Sequence, residues 1–369
     1  MQKVKRNILL NPGPATTTDS VKYAQIIPDI CPREEEFSEI LKWVSLNLTE
    51  FVANTEEYTS VLIGGSGTAA VESVISSVVG EGLLLIINNG AYGKRMIEIA
   101  QAYELNYDEY VSDYLNPIDL EQLERNLQGR EQRITHLAVV HNETTTGLLN
   151  DIHAIGTLCK KYKIDLIVDA MSSYGAIPIH MVESNIDYLV ASSNKNLQGL
   201  PGVSFVIGNK EKIKHSKQVK ANNYYLNLYK QYSYFEEHGQ MKFTPPVQTL
   251  YALKQAIIET KNEGIINRHK RYTDSWKTLI SGIEKLNLEY LVPIEHQSRI
   301  ITAIKDPKHE NYNFDEMHDF LYDKGFTIYP GKIEGNRNFR IANIGDINRD
   351  DIQLFLSHLE AYFQTISRE

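Results

Sequence analysis

Cysteine is nearly missing from this chain of 369 residues: Cys31 and Cys159 are the only two. Two thiols cannot build a disulfide scaffold or a four-thiolate zinc site. Such sparing use suits a reducing compartment, so a cytoplasmic location is expected. Long apolar runs are missing too. The longest, such as residues 83–87, fall far short of the ~20 residues that cross a bilayer. The N-terminal stretch has only a short apolar run before Asn11-Pro12-Gly13-Pro14, which predicts no secretory signal. No block of positive charge appears: 38 Lys and Arg face 47 Asp and Glu, a formal net charge of −9. A surface of that sign repels phosphate backbones and argues against nucleic-acid partners. The 11 histidines show no metal-ligand spacing, so no metal site is expected. There is no G-x-S-x-G elbow, no internal repeat and no low-complexity segment. What remains is the composition of a globular enzyme acting on small molecules.

What is present alternates. Between residues 59 and 210, six short apolar runs (59–63, 83–88, 134–141, 164–170, 187–193 and 203–208) read as buried strands. Amphipathic stretches such as 69–79 and 152–161 separate most of them, which predicts a mainly parallel sheet with helices on both faces. Such sheets bind ligands beyond the carboxyl ends of their strands. Upstream, residues 34–53 place Phe37, Ile40, Leu41, Val44, Leu48 and Phe51 on one helical face. Downstream, 246–286 reads as long helix broken near Gly264. Strand candidates at 299–305, 326–329 and 338–344 follow, with helices at 315–324 and 349–366, the latter capped by Asn348. This predicts a smaller α+β unit closing the chain.

Three features carry chemistry. Gly64-Gly65-Ser66-Gly67-Thr68 joins a strand to a helix, where small residues, hydroxyls and a helix N-terminus can cradle a phosphate. It is not a P-loop, because Ala69 follows Thr68 where a lysine is needed. It matches G-x-G-x-x-A, but the next strand ends Asn88-Asn89-Gly90 without the acid that binds a dinucleotide ribose. Asp169 ends an apolar strand, where a carboxylate needs a cation or a protonated ring nitrogen. Lys195 lies two residues beyond the strand at 187–193. Taken singly, these have ordinary explanations as a turn, an ion pair and a surface lysine. Their shared placement at one sheet edge matches the needs of pyridoxal phosphate: an amine for the Schiff base, a carboxylate for the pyridine nitrogen, a cradle for the phosphate. Tyr92 can stack on the ring, or pack in the core. Thr144 can bond a ring oxygen, or serve a turn. Arg340, a charge inside an apolar strand, needs an anion, either a substrate or a structural partner.

With these residues in place, the sequence resembles a known family, the class V (fold type I) pyridoxal-phosphate aminotransferases, and within it the members that act on 2-aminoethylphosphonate. The resemblance runs over essentially the whole chain. Its blocks, in order, are Asn11-Pro12-Gly13-Pro14; Gly65-Ser66-Gly67-Thr68-Ala69-Ala70-Val71-Glu72; residues 141–147; Val168-Asp169-Ala170-Met171-Ser172-Ser173; Ser192-Ser193-Asn194-Lys195-Asn196-Leu197-Gln198-Gly199; Phe243-Thr244-Pro245-Pro246; and Asn338-Phe339-Arg340-Ile341. The fold it implies is α/β: a large domain (1–250, with the N-terminal segment) built on a mainly parallel seven-stranded sheet between helices, plus a smaller C-terminal α+β domain (251–369).

The resemblance also implies roles. Lys195 forms the Schiff base with pyridoxal 5'-phosphate and Asp169 pairs with the ring nitrogen. Ser66, Gly67 and Thr68 hold the phosphate, Tyr92 stacks, Thr144 bonds the ring hydroxyl, and Ser193 joins the cofactor-binding set. Thr244 reaches the phosphate of a neighbouring subunit, which makes a homodimer with shared sites. Arg340 binds the acid group of each substrate. The reaction implied is ping-pong transamination between 2-aminoethylphosphonate and pyruvate, giving phosphonoacetaldehyde and L-alanine. Alternatives are an alanine–glyoxylate or serine–pyruvate activity, a sulfur-transferring desulfurase, and a catalytically silent regulatory relative. Two departures stand out: Asp29-Ile30-Cys31-Pro32-Arg33-Glu34-Glu35-Glu36 differs from the form associated with the degradative enzymes, and Met241 falls where alanine–glyoxylate relatives carry tyrosine. Arg33 is an additional cation, expected either to assist the phosphonate or to be a solvated residue at a helix start.

Overall fold

The structure, a computed structural model, describes residues 3–129, 132–331 and 337–367. Its centre is a seven-stranded sheet of β1 (Tyr58–Gly64), β2 (Leu83–Asn88), β3 (Tyr107–Val111), β4 (Ile134–Val140), β5 (Asp165–Asp169), β6 (Tyr188–Ser192) and β7 (Val203–Asn209). The order is β1-β7-β6-β5-β4-β2-β3, and only β7 runs against its neighbours. Six of these strands coincide with the apolar runs of the sequence. The seventh, β3, is an edge strand whose Asp108 and Glu109 are exposed, so it has no apolar signature.

Successive residues of a strand face opposite ways, and here each face has its own core. Leu83, Leu85 and Ile87 of β2 enter one core with Leu137 and Val139 of β4. Leu84 and Ile86 enter the other with Ala138 and Val140. The first core is closed by α1 (Glu35–Glu50), α4 (Ile152–Tyr162) and α6 (Val247–Glu263). The second is closed by α2 (Gly67–Val78), α3 (Ala91–Ala102) and α5 (Leu228–His238). Helices on both faces explain why the strands are apolar throughout rather than alternating.

A third core lies in the C-terminal unit. It gathers Leu279 and Ile283 of α7 (Ile265–Lys285), Met317 and Leu321 of α8 (Phe314–Asp323), and Phe355 and Leu359 of α9 (Arg349–Ile366). These pack on a small antiparallel sheet of β8 (Ile301–Lys305), β9 (Tyr329–Pro330) and β10 (Asn338–Ala342), with β10 central. Gly264, at φ +77°, separates α6 from α7, and Asn348 caps α9 within a full capping box. The division expected at residue 250 falls inside α6, whose Leu250, Leu253 and Ile257 belong to the core beneath the large sheet. Conversely Ile8 and Leu10 join the C-terminal core, and Ile8–Leu9 pairs in parallel with Phe326–Thr327. Both chain ends therefore build that unit. No helix among the described residues is long and apolar enough to cross a membrane.

Candidate active site

The carboxyl ends of β1, β2, β4, β5 and β6 deliver the chemistry-bearing residues to one edge of the sheet. Gly64-Gly65-Ser66 turns from β1 into α2; β2 leads through Gly90 into α3, which carries Tyr92; β4 leads into residues 141–147; β5 ends on Asp169; β6 leads to Lys195. The lysine turn is held from behind. Asn196 Nδ2 donates to the Ser172 carbonyl at 2.7 Å, Arg268 of α7 donates to the Asn196 carbonyl, and Gln198 Nε2 donates to Tyr272 Oη at 2.9 Å. The N-terminal segment crosses in front: Ala15 N–H donates to the Asn194 carbonyl at 2.9 Å, and Lys195 Nζ donates to the Pro12 carbonyl at 2.6 Å. Gly13 sits at φ +131°, and a Cβ there would stand 2.3 Å from Lys195 Nζ. Only glycine lets the chain pass so close to the amine.

A cleft of about 260 Å³ results, lined among others by Ser66, Gly67, Thr68, Tyr92, Asp169 and Lys195. Six residues singled out from sequence thus share one cavity. Ser66 holds the N-cap position of α2 without a capping side-chain hydrogen bond, unlike Asp151 of α4 and Asn348 of α9, whose side chains each accept first-turn amides. The positive end of α2 therefore faces the cleft without a side chain satisfying it, as an anion site requires. Asp169 is buried; its Oδ1 accepts the Met171 N–H at 2.9 Å and it makes no ion pair among the described residues. Burial pushes its carboxyl up to about 6, opposed by the Met171 amide and by the charges of Arg95 and Lys195. A protonated ring nitrogen would return it to the ionised form.

Thr144 and Arg340 do not line this cleft; they adjoin it through Glu143, the neighbour of Thr144, which accepts the Tyr92 N–H. The Thr144 hydroxyl is buried and has no hydrogen-bond partner among the described residues, a state that buried hydroxyls rarely keep. Its carbonyl accepts Arg340 Nη1 at 3.1 Å, and Arg340 Nε donates to the Pro330 carbonyl at 3.1 Å. Arg340 is 1% exposed and makes no ion pair among the described residues. Burial lowers its pKa, opposed by the charges of Tyr92, Glu143 and Tyr329; an arginine stays charged, and with no carboxylate at ion-pair distance among the described residues this cation can take an anion from outside.

Three expected residues are placed elsewhere. Ser193 is fully buried beside the cleft, and its hydroxyl donates to the Leu200 and Val203 carbonyls; Ser192 lines the cavity instead. Arg33 does not reach this cleft. Its guanidinium donates to the Met241 carbonyl at 2.8 Å and to Gln240 Oε1 at 3.2 Å, so backbone and amide oxygens already satisfy it. Thr244 is exposed and does not line the cleft of its own chain. Two residues were missed. Arg95 lines the cleft with its guanidinium carbon 4.8 Å from the Tyr92 ring centre; the i,i+3 spacing on the first turn after a strand was the available signal. Glu143 is fully buried beneath Tyr92, hidden in sequence among polar turn residues.

Pyridoxal phosphate suits this donor set. A helix N-terminus suits its phosphate, the buried Asp169 carboxylate its pyridine nitrogen, the Thr144 hydroxyl its ring oxygen, and Lys195 its aldehyde. Fold and site together define a fold type I pyridoxal-phosphate enzyme. Comparison with known proteins narrows this: residues 23–333 match the aminotransferase class-V family. The chain belongs to the class-V aminotransferases. It is 40% identical to a 2-aminoethylphosphonate–pyruvate transaminase of Klebsiella pneumoniae, over 96% of each chain. It is also 40% identical to a bifunctional phosphonoacetaldehyde hydrolase/aminoethylphosphonate transaminase of Clostridioides difficile, covering 96% of this chain but 56% of that protein's length. The solved alanine–glyoxylate aminotransferase of Nostoc sp. superposes with a TM-score of 0.90 at 24% identity, over 98% of this chain and 96% of that one. That likeness speaks for the fold alone.

Proposed function

We propose that this protein transfers an amino group between 2-aminoethylphosphonate and pyruvate, yielding phosphonoacetaldehyde and L-alanine. The 40% identity to a transaminase of that name over 96% of both chains carries the reading. Arg340 supports it from the site: the phosphonate of one substrate and the carboxylate of the other are the anions that a buried guanidinium, without an ion pair among the described residues, would bind in turn.

When bound, pyridoxal phosphate supplies the electron sink for the carbon that exchanges its amino group. The protein's residues do the rest. Amides at the start of α2, with Ser66 and Thr68, hold the phosphate. Asp169 keeps the ring nitrogen protonated, and Tyr92 offers the cofactor the ring face that Arg95 does not cover. Thr144 donates to the ring oxygen. Lys195 Nζ takes the proton from the substrate carbon bearing nitrogen and later returns one, and the Pro12 carbonyl gives the amine a resting partner. Thr244, exposed on its own chain, reaches the phosphate in a second copy, so the working unit is a homodimer, placed in the cytoplasm. A sulfur-carrying role finds no support: Cys159 is buried with its thiol pushed up to about 12, and Cys31 does not line the cleft.

The test is product formation. Purified protein given 2-aminoethylphosphonate and pyruvate should form L-alanine far faster than with serine or glutamate as donor. Faster turnover with alanine and glyoxylate would move the substrate assignment to the alternative and leave the family intact.

A further inference from the structure

One fully buried acid lies at the site without a part in the chemistry above. Glu143 follows β4, and three donors converge on its carboxylate. Oε1 accepts the Thr145 N–H at 2.9 Å and the Thr145 hydroxyl; Oε2 accepts the Tyr92 N–H at 3.3 Å. It has no ion pair among the described residues, and burial pushes its carboxyl up to about 7, with the charge of Asp169 adding to the effect. Holding the 141–147 turn alone does not require a charge in such surroundings. What demands a carboxylate is the number of donors on both oxygens, since only an acceptor-only group serves all three. The partner loop is shaped to receive it: a Cβ on Gly90 would lie 2.3 Å from the Glu143 side chain, so the chain before Tyr92 can close on the acid only because residue 90 has none.

The two segments that Glu143 joins, the start of α3 and the 141–147 turn, are those that carry the cofactor's ring contacts. One bears Tyr92, whose ring meets Arg95 on one face. The other bears Thr144, whose carbonyl is fastened to Arg340. We infer that Glu143 is a positioning residue of the cofactor site: through the Tyr92 N–H it keeps the Tyr92 ring in register with the adjoining Thr144 turn. The inference rests on the pyridoxal-phosphate reading of that cleft.

Glu143→Gln separates the two sides of the carboxylate. The two Thr145 donors hold the amide oxygen, which turns an NH₂ group toward the Tyr92 N–H and replaces an acceptor by a donor. Cofactor affinity and the visible circular dichroism of bound pyridoxal phosphate are measured for wild type, Glu143→Gln, Tyr92→Ala and the double variant, with thermal unfolding of each cofactor-free protein as the folding check. The expected result is about tenfold weaker binding and a diminished dichroic band for Glu143→Gln, with thermal stability near wild type because removing a buried charge offsets the unmet Tyr92 N–H. The double variant should bind no more weakly than Tyr92→Ala, because a misplaced ring costs nothing once it is absent. Gly90→Ala displaces the carboxyl from the opposite side and is read the same way should Glu143→Gln not fold. Wild-type affinity and dichroism in Glu143→Gln, or effects that multiply in the double variant, would overturn the inference while leaving the cofactor site intact. Failure of the wild type itself to bind pyridoxal phosphate would overturn both.

Discussion

Replacing Asp169 by Asn should make the cofactor-free protein more stable at pH 8 while impairing its capacity for the cofactor. Asp169 is buried, and its carboxyl is pushed from 3.8 to about 6, chiefly by burial. A raised carboxyl pKa penalises the native state only where the unfolded chain has already lost the proton. The penalty is absent below pH 3.8, grows between 3.8 and about 6, and is constant above. A rise of that size corresponds to about 3 kcal/mol at pH 8. Asn has nearly the same shape, carries no charge, and its carbonyl can still accept the Met171 N–H that Oδ1 accepts at 2.9 Å. Urea unfolding of the stripped wild type and variant, from pH 4 to 8, should show curves that coincide at the acid end and separate to about 3 kcal/mol in favour of Asn. The same variant should bind pyridoxal phosphate more weakly, having lost the charge that meets the ring nitrogen. A variant less stable than wild type at pH 8, or a gap independent of pH, would show that Arg95 and Lys195 already neutralise the acid. Asp169 would then carry no unmet charge.

Other predictions follow from the same geometry. Lys195→Ala should abolish both the absorbance of covalently held cofactor and turnover; a fully active variant would remove the lysine from the mechanism. Arg340→Lys should raise KM for both substrates by about tenfold, because one ammonium cannot hold the Thr144 and Pro330 carbonyls and also grip an anion with two donors. A rise for only one substrate in steady-state kinetics would show that the two acids bind at different places. Gly13→Ala should weaken covalent attachment of the cofactor, since its Cβ would meet Lys195 and its φ of +131° suits glycine. Equal occupancy in a cofactor titration would show that the N-terminal segment yields freely.

The parts of the molecule written in short stretches were legible. Six of seven large-sheet strands, the helix break at Gly264 and the Asn348 cap follow from local pattern, and six candidate residues meet in one cleft because strand ends share a sheet edge. What failed to show is set by contacts distant in sequence. β3 is polar because an edge strand has an open side. Arg33 looked like a spare cation, yet it is satisfied by oxygens of residues 240–242. The pairing of Ile8 with Phe326, which folds the N-terminal segment over Lys195, has no local signature. Glu143 and Arg95 were overlooked because their importance lies in facing Tyr92 from another loop and from the next helical turn.

On the proposed reading, 2-aminoethylphosphonate gives its amino group to a cofactor held by Lys195. Its most direct test is the absorbance spectrum of purified protein loaded with pyridoxal phosphate, before and after that amine is added without pyruvate. A band near ~420 nm should give way to one near ~330 nm, positions set by the cofactor's own chromophores, and pyruvate should restore the first. A band that stays in place with this amine but shifts with alanine or serine would contradict the donor assignment. No band with added cofactor would contradict the site itself.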